Sequence, residues 1–320
     1  MTVAPETLVE APFHRPVLAA AVAAWAAGTT RAVDATVGGG GHASLLRAGA
    51  ANPPLLAIDR DAEALAAARA RLGDQGFTYL HARFADDDAL AAISAFRPDR
   101  ILLDLGLSSH QIDRLERGFS FRPGAPLDMR MTVARKGEEG RTAAQALNQA
   151  PAEELERWFR EFADQTPGRA RKLAKEIVRR RATQPFRVSD DLVNAIRAVL
   201  GSRSGPADFA RLFQAVRIAV NDEMEQLARA LPAMRDALVP GGSLAVITYH
   251  SGEDRTVKHQ FREWARPCIC PPRQPVCTCR GRPLGKVVAP RGVKPDAQEV
   301  AANPRARSAR LRVFETAASP

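Results

Sequence analysis

No stretch of this chain approaches the roughly 20 consecutive apolar residues that a bilayer crossing needs. The opening segment, MTVAPETLVEAPFHRP, lacks the basic-then-apolar order of an export signal. Both absences point to a cytoplasmic protein with no membrane partner. No Walker-type phosphate loop and no HExxH pair occurs, no nucleophile stands legibly beside a base, and no segment repeats. Cysteine is missing except for Cys268, Cys270, Cys277 and Cys279, arranged CxC-x6-CxC. In a cytoplasmic setting stable disulfides are disfavoured, whereas a tetrathiolate zinc site is chemically reasonable. The CxC pairs are tighter than the common CxxC knuckle, and no metal is assigned among the site residues named below.

What the chain has in excess is positive charge, net +10 over 320 residues, and it is unevenly placed. Residues 169–181 carry net +6 and residues 273–312 carry net +8, which leaves the remainder at −4. Bases gathered into two short segments of an otherwise acidic body imply a polyanionic partner, nucleic acid foremost. A basic solvated helix and a basic tail are the plainer account of the same residues.

The chain is organised around Val33–His42, VDATVGGGGH. An apolar run ends in an acid and a threonine, and four glycines then open onto a helix-compatible segment. Such a turn lets another molecule approach the backbone, and the start of the helix supplies partial positive charge. Gly38, Gly40 and Ala43 fit G-x-G-x-x-G/A, and Asp59 ends the next apolar run, LLAID. Together they suggest an adenosine cofactor held by its ribose hydroxyls.

Strands are expected just ahead of the glycine turn, in the run that reaches Asp34, and at 55–59, 78–82 and 100–104, alternating with helices at 19–27, over the run HASLLRAG (42–49), at 62–72 (capped by Asp61) and at 88–96. This alternation predicts a mainly parallel α/β sheet with ligands beyond the carboxyl ends of its strands, where Asp34, Asp59 and Asp104 all fall. The next strand, 243–249, comes almost 140 residues later, far beyond what a crossover requires. An inserted helical unit is therefore expected, with helices at 142–148, 151–163, 167–181 and 189–200, the last capped by Ser189. Val220, Met224, Leu227, Leu231, Met234 and Leu238 then form one apolar helix face, a core stripe. A helix at 254–264 and a last strand at 308–314 that returns to the sheet edge complete the reading. The boundaries drawn are 1–113 with 213–320 for the sheet domain and 114–212 for the insert.

Two polar clusters should open on the same rim, Asp104-Leu105-Gly106-Leu107-Ser108-Ser109 and Thr248-Tyr249-His250-Ser251-Gly252-Glu253-Asp254-Arg255. They offer acceptors and hydroxyls suited to holding a neutral amine for group transfer. The competing readings are a capped turn for the first cluster and a satisfied buried histidine at His250.

The blocks HRPVL, DATVGGGGH, AIDRD, ILLDLGLSSHQID, RGFSF, PLDMRM, FQAVRIAVNDE, GGSLAVITYHSGEDRTVK and NPRARSARLRV, in this order from His14 to Val313, resemble those of the bacterial ribosomal RNA small subunit methyltransferase H family (RsmH, or MraW). The resemblance implies a Rossmann-like class I methyltransferase fold interrupted by a small helical domain. It implies methyl transfer from S-adenosyl-L-methionine to the exocyclic N(4) of a P-site cytosine in 16S rRNA, within the small ribosomal subunit. Carried over by position, it puts cofactor contacts on Gly40, Gly41, His42, Asp59, Phe84, Asp104 and Gln111. The chain departs from the family pattern at Tyr249, where relatives often have phenylalanine, and at Gly252, where they often have leucine.

On this reading Asp104, Ser108 and Ser109 hold the target amine, and His250 takes its proton once the methyl has moved. Phe119, Phe121 or Tyr249 can stack on a splayed-out cytosine, although packing against the insert accounts equally for the two phenylalanines. The rival readings are a nicotinamide-dependent oxidoreductase, a non-catalytic rRNA-binding assembly protein, and methylation of DNA or another RNA.

Overall fold

The computed structural model describes residues 16–48, 52–107, 114–132, 140–271, 273–274 and 276–318. Its frame is a seven-stranded sheet in the order β3-β2-β1-β4-β5-β7-β6. The strands are β1 (Ala32–Asp34), β2 (Leu55–Asp59), β3 (Phe77–His81), β4 (Arg100–Asp104), β5 (Ser243–Thr248), β6 (Gly285–Val293) and β7 (Arg310–Thr316). β1 to β5 pair in parallel, and β7 is antiparallel to both β5 and β6. This is the expected α/β, Rossmann-like arrangement.

Alternation along the central strands divides their side chains between two apolar layers. Val33, Leu56, Ile58, Ile101, Leu103, Leu244 and Val246 pack beneath α4 (Asp87–Phe96), α10 (Glu223–Ala237) and α11 (Ser251–Trp264). Ala32, Leu55, Ala57, Leu102, Ala245 and Ile247 face α1 (Ala19–Ala26), α2 (Gly41–Ala48) and α3 (Ala62–Leu72). Both faces are covered, as a parallel sheet requires. Asp61 caps α3 by accepting the Glu63 N–H at 3.0 Å.

Between β4 and β5 a third apolar cluster is built from α5 (Ala143–Gln149), α6 (Ala152–Phe162), α7 (Pro167–Arg181), α8 (Ser189–Leu200) and α9 (Pro206–Asn221). This is the inserted helical unit. The boundary drawn at 212 falls inside α9, whose Leu212, Phe213, Ala215 and Val216 all belong to the insert's cluster. Thr142 and Gln145 form a reciprocal capping box at the head of α5. Ser189 does not cap α8. It is the helix's first residue, and its hydroxyl donates to the Arg122 carbonyl at 2.6 Å, while Asp191 accepts the Val188 N–H at 3.0 Å.

Two further expectations are corrected. The stripe from Val220 to Leu238 is not one helix: Asp222, at φ 52°, breaks it into α9 and α10. The last strand is not at the edge of the sheet, because β6 pairs outside it. β6 had no legible alternation, since it contains Pro290 and Gly292, is mostly exposed, and carries a register shift between Val288 and Val293. A short helix, α12 (Ala297–Ala302), precedes β7. Among the described residues, no helix is long and apolar enough to cross a membrane.

Candidate active site

β1, β2 and β4 each end in an acid, and strand order brings the three ends to one rim with β1 in the middle. A cleft opens there, lined by Thr36, Val37, Gly38, Gly39, Gly41, His42, Asp59, Phe84 and Asp104, with Leu105, Gly106 and Leu107 continuing from β4. The turn after β1 is fixed by backbone bonds, Val37 N–H to the Ile58 carbonyl and Gly40 N–H to the Val37 carbonyl, at 2.9 and 2.8 Å. Gly40 lies behind the lining rather than on it. A Cβ there would stand 2.8 Å from the Leu72 side chain, so its small size lets the turn pack against α3.

Asp59 accepts the Gly38 N–H at 2.8 Å and the Asp61 N–H at 2.9 Å, which aims its carboxylate into the cleft. Burial raises its pKa over the opposing effect of those two N–H groups. Asp104 is positioned through its own N–H, which donates to the Thr36 hydroxyl at 2.7 Å. Its Oδ1 accepts from the Tyr249 hydroxyl at 2.8 Å, and its Oδ2 lies 3.3 Å from His42 Nδ1. His42 Nε2 lies 2.8 Å from the Val17 carbonyl, so both ring nitrogens face acceptors. Burial by itself would lower the His42 pKa, but the hydrogen bond and charge of Asp104 outweigh it and push the pKa up to about 9. Asp34 sits beneath the cleft, fully buried, and burial raises its pKa to about 7 against the influence of His42 and the Thr36 N–H.

The lining also includes residues the sequence did not mark as functional, Arg60, Met131, Glu223 and Gln226, together with Tyr249 and Glu253 from the second polar cluster. Met131 is held in place by Asn221, whose side chain accepts the Met131 N–H at 2.9 Å and donates to the Met129 carbonyl at 2.7 Å. Glu223 and Gln226 reach the cleft because the break at Asp222 sets the start of α10 beside it. Glu223 is paired with Arg217 through two contacts of 2.8 Å. The legible signals were the position of Arg60 next to Asp59 and the Asn-Asp-Glu run after an apolar helix. Neither has a motif's spacing.

The sequence profile of the MraW methylase family matches residues 11–317, nearly the whole chain. The chain belongs to this family. A ribosomal RNA small subunit methyltransferase H from Gemmatimonas aurantiaca is 52% identical over 310 residues, covering 95% of this chain and 96% of that protein. The protein of the same name from Heliobacterium modesticaldum is 44% identical over 291 residues, covering 88% and 91%. A solved rRNA methylase from Streptococcus thermophilus aligns over 97% of this chain and 99% of its own at 12% identity, with a TM-score of 0.40.

Within this MraW-family methyltransferase, the expected residues Gly41, His42, Asp59, Phe84 and Asp104 come together at the cleft. Phe84 packs partly on the apolar layer beneath α4 and also lines the cleft. Gln111, Ser108 and Ser109 lie outside the described residues, as does His14 of the first block. His250 is not among the cleft-lining residues. It is the N-cap of α11: Nδ1 accepts the Glu253 N–H at 3.3 Å, and Nε2 lies 3.0 Å from Glu253 Oε1, poorly aligned for a hydrogen bond. The ring is 9% exposed and its polar contacts stay within the head of α11, so it differs from the satisfied buried histidine of the plainer account in having no hydrogen-bond partner at Nε2. Its partner Glu253 also accepts the Tyr249 N–H at 2.8 Å and so fixes the residue that holds Asp104.

Asp254 binds Arg312 at 2.6 Å and Arg310 at 3.1 Å, tying α11 to β7. Phe121 packs edge-on against Phe209 and Phe213, and Phe119 lies against the same helical cluster, so the packing account of both holds.

Proposed function

We propose that this chain transfers a methyl group from S-adenosyl-L-methionine to the exocyclic N(4) of a P-site cytosine in 16S rRNA, acting on the small ribosomal subunit in the cytoplasm. The observation that carries the proposal is the convergence of the glycine turn, Asp59, Phe84 and Asp104 on one cleft at the carboxyl rim. That cleft suits the cofactor in three ways. The backbone of Gly38, Gly39 and Gly41 admits a close neighbour at the head of α2, where the helix favours a carboxylate. Asp59 keeps lone pairs for two ribose hydroxyls, and Phe84 offers an aromatic face to adenine. Gly40 then contributes through the packing of the turn, and Gln111 is assigned by family resemblance alone.

When bound, the cofactor supplies a methyl group already activated by a positively charged sulfur. The protein's remaining task is to position and polarise a poor nucleophile, because the lone pair of cytosine N(4) is delocalised into its ring. Asp104, held from both sides by Tyr249 and His42, presents a carboxylate that does not reorganise as it accepts an amine hydrogen. Electron density withdrawn from the ring returns to the nitrogen, and the positive charge that develops there meets a fixed negative one. His250 contributes by capping α11 and holding Glu253, not by taking the proton.

Labelled cofactor supplied to small subunits from a strain lacking this protein should leave label on N(4)-methylcytidine after nucleoside digestion. Label on a ring carbon, or on no cytosine, would overturn the proposal. Asp104→Ala should lower turnover by about 100-fold or more while the fold is retained. Normal turnover with normal cofactor affinity would remove Asp104 from both roles.

A further inference from the structure

The four cysteines lie in the connection from α11 to β6, apart from the cleft, and are all free thiols. Their sulfur atoms all lie within 4.8 Å of one another. Cys268 and Cys277 are 3.8 Å apart, Cys270 and Cys277 3.8 Å, Cys279 and Cys268 3.7 Å, and Cys277 and Cys279 3.5 Å. These separations are far longer than a covalent S–S bond of about 2.05 Å. They match the edge of about 3.8 Å expected when four sulfurs stand about 2.3 Å from a central ion in a tetrahedron. A two-iron cluster would need its thiolates spread more widely.

We infer that Cys268, Cys270, Cys277 and Cys279 bind one zinc ion as a closed tetrathiolate site. Apolar packing does not explain the convergence, since Ile269 and Val276, within the loop, are 42% and 69% exposed. The local charge suits the site. Four thiolates around a divalent cation leave net −2, and residues 265–284 contain Arg266, Arg273, Arg280 and Arg282 with no acid. Backbone supports the sulfurs too, with the Ile269 N–H donating to Cys279 Sγ at 3.4 Å. The role is structural. The loop leaves α11 at Trp264 and rejoins the sheet where the Leu284 N–H meets the Trp264 carbonyl at 2.9 Å. That point lies at the amino end of β5, across the sheet from the rim that carries Asp59 and Asp104. Arg280, immediately after Cys279, reaches Glu263 Oε1 at 3.0 Å and the Trp264 carbonyl at 3.4 Å, so ordering the thiols also orders a clamp on the end of α11.

Full-length protein purified under reducing conditions without a metal-affinity resin should contain about one zinc per chain by elemental analysis. Its four thiols should be shielded from a maleimide until a strong chelator withdraws the metal, and in a separate sample a mercurial that caps the thiols should release the zinc to a chromogenic chelator. The double variant Cys277→Ser/Cys279→Ser should lose the zinc and melt at a lower temperature while still binding S-adenosyl-L-methionine. Less than half an equivalent of zinc in the wild-type protein, iron in its place, or recovery of the cysteines as disulfides would each overturn the assignment. Because metal content is read on the wild type, a misfolded variant does not decide the outcome.

Discussion

At His42 burial and ion pairing act in opposite directions. An imidazole with only 8% of its side chain exposed should resist protonation, yet Asp104 at 3.3 Å and the Val17 carbonyl leave both ring nitrogens facing oxygen. The pairing prevails, and the folded-state pKa stands near 9 against an ordinary value of 6.5. A proton held more tightly by the folded than by the unfolded chain stabilises the fold. That contribution is fully present below pH 6.5 and is lost as pH rises through about 9. Asp34, raised to about 7, works in the same direction at lower pH: the folded state favours its neutral form, so stability declines from about pH 4 to 7. Urea titrations from pH 6.5 to 9 should therefore show stability falling by no more than about 3 kcal/mol. His42→Gln should flatten the curve across that window. An unchanged slope in the variant would mean that the imidazole is not charged in the folded protein.

The site depends at the next scale on how α9 gives way to α10. Had the apolar spacing from Val220 to Leu238 been one continuous helix, Glu223 and Gln226 would have remained on its surface. Asp222 in the left-handed region turns the chain, and Asn221 just before it clamps the segment from Met129 to Met131 against the cleft. Asn221 is 2% exposed, so Asn221→Ala strands a buried N–H and a buried carbonyl. Each unsatisfied group costs about 1–3 kcal/mol, and a loss of roughly 2–4 kcal/mol is expected in chemical denaturation. Calorimetry should show a parallel fall in cofactor affinity, because Met131 lines the cleft.

The break also marks where sequence stops being informative. The strands ending at Asp34, Asp59 and Asp104 were legible because a buried parallel strand is a short apolar run and its terminal acid stands out. The ends of α3 and the start of α7 were legible because Asp61, Gly73 and Pro167 are local start and stop signals. β6 was hidden because an exposed edge strand containing proline and glycine has no pattern to read. The surroundings of His250 were not legible for a related reason: a polar residue after a strand signals a rim, but only coordinates distinguish a ring that lines the cleft from one that caps a helix.

Over the whole molecule the two basic segments have different fates. In the second, Arg310 and Arg312 pair with Asp254, Arg280 with Glu263 and Lys286 with Glu315, so much of its charge is tied into the fold. The first becomes α7 of the helical insert, with Ala170, Leu173, Ala174 and Ile177 buried. Arg171, Arg179 and Arg180 pair with Glu156 or Glu176, while Lys172 and Lys175, spaced i, i+3, stand exposed on the opposite face. Of the two, α7 is the surface suited to a phosphate backbone, on an insert that flanks the cleft through Met131. If it grips rRNA, Lys172→Glu/Lys175→Glu should weaken binding to small subunits at least tenfold near 0.1 M salt and flatten the plot of log affinity against log salt by about two units. Cofactor affinity and melting temperature should be unchanged, because neither lysine reaches the core or the cleft. An unaltered salt slope with intact methyl transfer would assign RNA contact to another surface and leave α7 as a solvated helix.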